Sequence, residues 1–192
     1  MSEESFRGFI AIPSPSALRQ RVEKMQAELR KLSLDVKWVL PEQLHLTAKF
    51  LGETPASILN ELKETLNRIA QEFHAFSFSV DRLGAFPNLR RPRVLWVGGP
   101  ETPPAAQPLI QSLEEVVSRF GFPKENRPFK AHLTLGRFRS PKGCEKLEKW
   151  ILENPLSWRE EFPCDRLILF QSTLTSQGPL YAPLHEVSLT KI

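Results

Sequence analysis

Four histidines occur in this chain of 192 residues, and two of them open the same short phrase. His45-Leu46-Thr47-Ala48 and His132-Leu133-Thr134-Leu135 each alternate a reactive side chain with an apolar one. In a strand, residues i and i+2 share a face with Cα atoms about 7 Å apart, so each phrase presents an imidazole and a hydroxyl together. Leu44, Leu46, Ala48 and Phe50, with Ala131, Leu133 and Leu135, are then expected on the opposite face, covering a core. Two imidazoles on two strands suit in-line displacement at phosphorus. One takes a proton from the incoming oxygen and the other gives one to the leaving oxygen, from opposite sides. Imidazole titrates near pH 6.5, so one ring can be neutral while the other is protonated, each contributing on the order of 10²–10⁴ in rate. The threonine hydroxyls suit the non-bridging phosphoryl oxygens.

Other chemistries lack their residues. No carboxylate shares a strand face with either histidine as a zinc ligand would, and there is no phosphate-cradling glycine loop, nucleophile elbow or dinucleotide fingerprint. Neither a metal nor a cofactor is expected. Cys144 and Cys164 are far apart and unpaired in pattern, and Cys164 reads as a small strand-edge hydrophobe.

Each phrase sits at a similar place in a similar run of elements. Phe6 to Ile12 and Arg93 to Gly99 read as strands followed by proline-rich turns. Leu18, Val22, Met25, Leu29 and Leu32 then recur at helical spacing behind Ser14-Pro15, as do Leu109, Leu113, Val116 and Phe120. Val36 to Leu40 reads as a hairpin partner for the His45 strand. Thr54-Pro55 and Ser140-Pro141 read as cap and first residue of the next helices, carrying Leu59, Leu62, Leu66, Ile69 and Phe73 in one half and Leu147, Trp150 and Ile151 in the other. Phe76 to Val80, Arg166 to Phe170 and Tyr181 to Leu189 close the halves as strands. The pattern predicts an α+β fold: one bilobal domain over 1–192, with approximate halves 1–90 and 91–192. Its pseudo-symmetric lobes each carry a mainly antiparallel sheet and flanking helices around a central cleft.

The phrases HLTAKFLG and HLTLGRF, with RGFIAIP, RVLWVG and GPLYAPLHEVSL, resemble the 2H phosphoesterase superfamily across nearly the whole chain. The likeness is to its bacterial and archaeal RNA 2′,3′-cyclic phosphodiesterase branch, also called 2′-5′ RNA ligases. That resemblance implies metal-free hydrolysis of a 2′,3′-cyclic phosphate on RNA or a nucleotide to a 2′-phosphate. It implies His45 as proton donor, His132 as proton acceptor, and Thr47, Thr134 and Arg137 on the phosphate. It also implies a reverse reaction, 2′-5′ joining of RNA ends, including tRNA halves. Two rival readings stand beside it: a module that binds RNA ends without turnover, and a phosphodiesterase for another cyclic or 2′-5′ linked nucleotide.

Several residues carry secondary expectations. Strand parity puts Arg137 opposite His132 unless a bulge re-aims it, and puts Lys49 on the His45 face. Arg90, Arg91, Arg93, Arg139 and Lys142 are candidates for steering RNA. Phe9, Trp38 and Tyr181 are candidates for stacking a base. Trp96, Trp150 and Trp158 read as packing residues, and His74 and His185 as structural or solvated ones. A net charge of +4 is compatible with a polyanion without demanding one. The acidic start, Met1 to Arg7, does not read as a secretory signal, and no apolar run is long enough for a membrane span, so a cytoplasmic monomer is expected.

Overall fold

The structure is a computed structural model that describes residues 4–176 and 178–191; residues 1–3 of the acidic start lie outside them. The chain runs β1 (Ser5–Pro13), α1 (Ser16–Arg30), β2 (Val36–Trp38), β3 (His45–Pro55), α2 (Leu59–Glu72), β4 (Phe76–Val80), β5 (Arg82–Phe86), β6 (Val94–Gly98) and α3 (Ala106–Ser118). It continues through β7 (His132–Phe138), α4 (Cys144–Glu153), β8 (Glu160–Cys164), β9 (Arg166–Thr175) and β10 (Gly178–Ser188). Eight strands form one sheet in the order β10-β9-β1-β3-β7-β6-β5, with β2 also on β7, and β4 pairs with β8 separately. Every pairing between named strands is antiparallel, and the fold is α+β as expected.

The repeat in sequence is not a division in space. β1 lies between β3 and β9, whereas β6 lies between β5 and β7, and β7 also takes β2. Helices exchange too. Gln26 of α1 bonds the Leu135 carbonyl of β7, and Glu114 of α3 bonds Lys49 of β3. Each side of the sheet therefore takes elements from both 1–90 and 91–192.

Val36 to Leu40 does not form a hairpin with the His45 strand. Its β2 lies on β7, with Val36 opposite Phe138, Lys37 opposite Arg137 and Trp38 opposite Gly136. A 3-10 turn over Pro41–Gln43, with proline at its first position, carries the chain across to β3. Gly136 permits the closure, since a Cβ there would stand 2.4 Å from Val36 Cγ1 and 3.4 Å from Trp38 Cε3. The two Thr/Ser-Pro caps also differ from expectation. Thr54 and Pro55 end β3 opposite Phe6 and Ser5, and the Thr54 hydroxyl donates to the Gly52 carbonyl instead of capping α2. The Ser140 hydroxyl donates to Asp35, and α4 starts behind Gly143.

The helical periodicities hold, except that Val117 takes the buried place expected of Val116, which with Phe120 is only part-buried against the core. Leu18, Val22, Met25 and Leu29 of α1, Leu62, Leu66 and Ile69 of α2, and Leu109, Leu113 and Val117 of α3 are buried. With Leu46, Leu133, Leu95 and Ile10 they form one continuous core on the helix side of the sheet.

β3 and β7 share an irregularity at the same step. Against β1, Thr47 faces Ala11 and Lys49 faces Ile10, leaving Ala48 as an extra residue. Against β6, Thr134 faces Trp96 and Gly136 faces Leu95, leaving Leu135 as the extra one. Both bulges fall on the third residue after the histidine. An extra residue slips the alternation by one, so later side chains exchange faces. Lys49 turns back among the helices at 5% exposure, and Phe50, expected in the core, emerges in front at 62%. Lys49 therefore does not share the His45 face. Arg137 turns forward by the same step.

Each bulge is braced from behind. Lys49 Nζ donates to Glu114 (2.6 Å) and to the Pro123 carbonyl (2.7 Å). The Leu135 carbonyl accepts from Gln26 Nε2 (3.0 Å) and from the Val39 amide (2.9 Å), and Gln26 Nε2 also donates to the Val39 carbonyl (2.8 Å). Lys49→Met is expected to cost about 3 kcal/mol, the low end for a broken buried pair because Glu114 keeps the Glu125 amide. Gln26→Leu is expected to cost about 1–3 kcal/mol. Urea unfolding measures both; losses below about 0.5 kcal/mol in each, the range of ordinary surface changes, would show that the bulges stand without these braces.

Candidate active site

β3 and β7 meet through one residue pair, Leu46 opposite Leu133, and separate on either side. This antiparallel register sets His45 across from Thr134 and Thr47 across from His132. The four reactive side chains thus gather on the front of the sheet where the two strands diverge. Behind them Leu44, Leu46, Ala48, Ala131, Leu133 and Leu135 are buried, as the alternation required.

The two rings are held alike. His45 Nδ1 lies 2.7 Å from the Gln43 carbonyl, and His132 Nδ1 lies 2.7 Å from the Lys130 carbonyl. A carbonyl only accepts, so each Nδ1 carries hydrogen and each Nε2 is the nitrogen left for chemistry. The Gln43 side chain also donates to the Pro179 carbonyl (2.5 Å), tying the turn before His45 to the β9–β10 hairpin.

Aromatic rings wall both histidines. The His45 ring lies 5.0 Å from Phe9 and edge-on to Tyr181 at 5.4 Å, and Phe9 stacks on Phe170 at 5.2 Å. The His132 ring lies edge-on to Phe86 at 4.9 Å and 6.4 Å from Trp96. Gly84 makes room for the indole, since a Cβ there would stand 2.3 Å from Trp96. The Trp96 Nε1 is buried with no hydrogen-bond partner among the described residues. Trp96 is thus a cleft residue rather than plain packing.

Burial in this wall disfavours the imidazolium and is the main reason both histidines titrate below the usual value; each Nδ1 carbonyl bond opposes it. Arg137 depresses both further, and His45 also feels His132. Arg137 therefore belongs to the histidine face, re-aimed by the bulge at Leu135.

Of the other expected residues, Phe9 is 3% exposed and forms the floor of the His45 wall, so its face is closed to a base. Trp38 lies on the helix side beneath the Arg30 guanidinium. Tyr181 remains half-buried beside His45. Trp150 and Trp158 pack on the core. His74 bonds Thr190 Oγ1 and His185 bonds Asn67, both structural contacts. Cys144 and Cys164 are buried, and burial pushes both thiols up, Cys164 far up. Arg90 and Arg91 sit in a turn built on Asn88, Arg93 enters β6, and Arg139 follows β7, all at the Arg137 end of the sheet. Phe50, Phe86 and Lys37 were not singled out in sequence. The shared fifth position after each histidine, Phe50 and Arg137, is the signal that could have found the first.

Among the described residues, no three His, Cys, Asp or Glu side chains gather as a metal site, and no helix is long and apolar enough to cross a membrane.

Comparison with known proteins places this geometry. The model of the LigT like Phosphoesterase family matches residues 12–96 and again 97–181, one unit around each histidine phrase. An RNA 2′,3′-cyclic phosphodiesterase of Thermotoga maritima is 35% identical over 181 residues, covering 94% of this chain and 94% of that protein. One of Archaeoglobus fulgidus is 35% identical over 180 residues, covering 93% and 97%. Among solved structures, E. coli LigT complexed with 3′-AMP superposes with a TM-score of 0.80 at 28% identity, covering 98% of this chain and all of that one. With two family units back to back and one histidine phrase in each, this chain belongs to the LigT-like phosphoesterase family.

Proposed function

We propose that this chain is an RNA 2′,3′-cyclic phosphodiesterase: it opens a 2′,3′-cyclic phosphate on an RNA end or nucleotide to a 2′-phosphate, without metal or cofactor. The carrying observation is that two imidazoles, each with its Nδ1 spent on a backbone carbonyl, stand across from two threonines on one face. The names of the Thermotoga and Archaeoglobus relatives support the substrate.

In this reading the cyclic phosphate lies between the histidines, with the Thr47 and Thr134 hydroxyls and Arg137 on its non-bridging oxygens. His132 Nε2 takes a proton from water as that oxygen bonds to phosphorus. The P–O3′ bond breaks in line, and His45 Nε2–H gives its proton to O3′. Solvent then returns the proton difference. His45 as donor and His132 as acceptor follow what the family resemblance implies; Arg137 lowers both rings, and their mutual repulsion holds one neutral while the other is protonated. With a 5′-hydroxyl running the leaving path backwards, the same groups join ends through a 2′-5′ linkage. The reading carries a monomer acting in the cytoplasm. A module that merely binds RNA ends would not need both Nε2 atoms free.

Product analysis tests the function. In EDTA, adenosine 2′,3′-cyclic phosphate is expected to give only the 2′-phosphate by phosphorus NMR; a 3′-phosphate, or no turnover by folded protein, rejects the reading. His45→Ala and His132→Ala should each lose about 10²–10⁴ in kcat with an unchanged circular dichroism spectrum.

The pH profile carries a sign. kcat/KM needs His45 protonated, which is lost as pH rises through its lowered pKa, and His132 neutral, which is lost as pH falls. A bell with its maximum below about pH 6.5 is expected in initial rates. Arg137→Gln should move both limbs upward, because a cation that depresses both histidines is gone, and should raise KM. A maximum above about pH 7.5 in the unaltered protein would contradict this protonation scheme.

A further inference from the structure

Beside the histidines the sheet sets two cations directly opposite each other. β2 is three residues long, and its middle residue Lys37 lies directly opposite Arg137 of β7. Trp38 packs under Arg30 on the helix side, and a Cβ at Gly136 would strike Val36 and Trp38, so those residues face backward. Lys37 therefore shares the front face with Arg137, and both are exposed. Like charges directly opposite on an antiparallel pair are destabilising. Among the described residues neither has a carboxylate within ion-pair distance.

The two cations differ in what they reach. Arg137 depresses the titration of both histidines, whereas Lys37, one strand further out, is not among the groups acting on either. More unpaired cations lie beyond, for the loop bearing Arg90, Arg91 and Arg93 leads into Val94, which pairs with Arg137. An anion held between Lys37 and Arg137 would offset their repulsion, and a polyanion running past them would continue onto that loop.

We propose that Lys37 holds the phosphodiester next to the reacting phosphate, with the Arg137 guanidinium between the two phosphates, so that the preferred substrate is an RNA strand with a cyclic end rather than a free cyclic nucleotide. This rests on the phosphodiesterase reading above. Lys37 is a specificity residue: it touches the strand and not the reacting atoms.

The test compares two substrates, adenosine 2′,3′-cyclic phosphate and a short oligoribonucleotide ending in a 2′,3′-cyclic phosphate. In Lys37→Ala the ratio of kcat/KM for RNA to that for the nucleotide should fall about tenfold, chiefly through KM for RNA. The slope of log kcat/KM for RNA against log salt should shallow by about 0.7, the value of one single-strand phosphate contact. Lys31→Ala, at the C-terminal cap of α1 and paired with Glu28, should leave the ratio unchanged and controls for loss of a surface cation. An unchanged ratio in Lys37→Ala overturns the subsite, as does an equal loss on both substrates. Turnover of neither substrate by the unaltered protein overturns the phosphodiesterase reading and the subsite with it.

Discussion

The matched bulges after the two histidine phrases are the constraint on which the site depends. A regular strand from His45 onward would bring Lys49 to the front and bury Phe50. A regular strand from His132 onward would drive Arg137 into a wall of leucines, where an unpaired guanidinium costs several kcal/mol. An extra residue at this step of each strand, Ala48 in β3 and Leu135 in β7, resolves both conflicts. Ahead of the bulge the strand presents imidazole and hydroxyl with an apolar back. Beyond it, the strand presents whatever stands fifth from the histidine. The braces from α1 and α3 occupy the polar groups that each irregularity would otherwise leave unmet in the core.

The aromatic walls and Arg137 set the charge state of the cleft. Both act against imidazolium, so the unliganded site leans toward two neutral rings. A bound phosphodiester reverses part of this. Its negative charge lies near the groups that Arg137 depresses, and it favours one protonated histidine beside one neutral one. In the proposed mechanism the substrate thereby helps to make the acid that expels its own leaving oxygen. A water-filled cleft would screen these effects and leave two ordinary histidines near pH 6.5.

Local order was legible in the sequence wherever a pattern repeats within one element. Leu18 to Leu29 and Leu109 to Leu113 named buried helix faces, and the alternation around His45 and His132 named the front of each strand. Neighbours across the sheet were not legible. Val36 to Trp38 reads as a strand, but nothing in those residues says that its partner is β7 rather than β3. The bulges were hidden for the same reason, since an extra residue exists only relative to a partner strand. That is why Lys49, Phe50 and Arg137 could not be assigned a face by counting, and why Trp96 reads as core. Phe9 failed differently: its position was right, but the His45, Phe50, Phe170 and Tyr181 rings cover it.

Two nearly identical phrases would give two interchangeable histidines if their surroundings were equal, and in-line displacement needs them unequal. The backbone cannot supply the difference, because both rings make the same bond to the carbonyl two residues earlier. The fifth position bears on their protonation instead. On β3 it is Phe50, without charge; on β7 it is Arg137, whose cation lies beyond Thr134 on the side of the cleft that His45 faces in the antiparallel register. Both rings feel that cation, and their imidazoliums repel each other, so protonating one holds the other neutral. A repeat supplied two equal groups, and one residue placed after a bulge sets a cation beside both, so that the site favours a single shared proton over two.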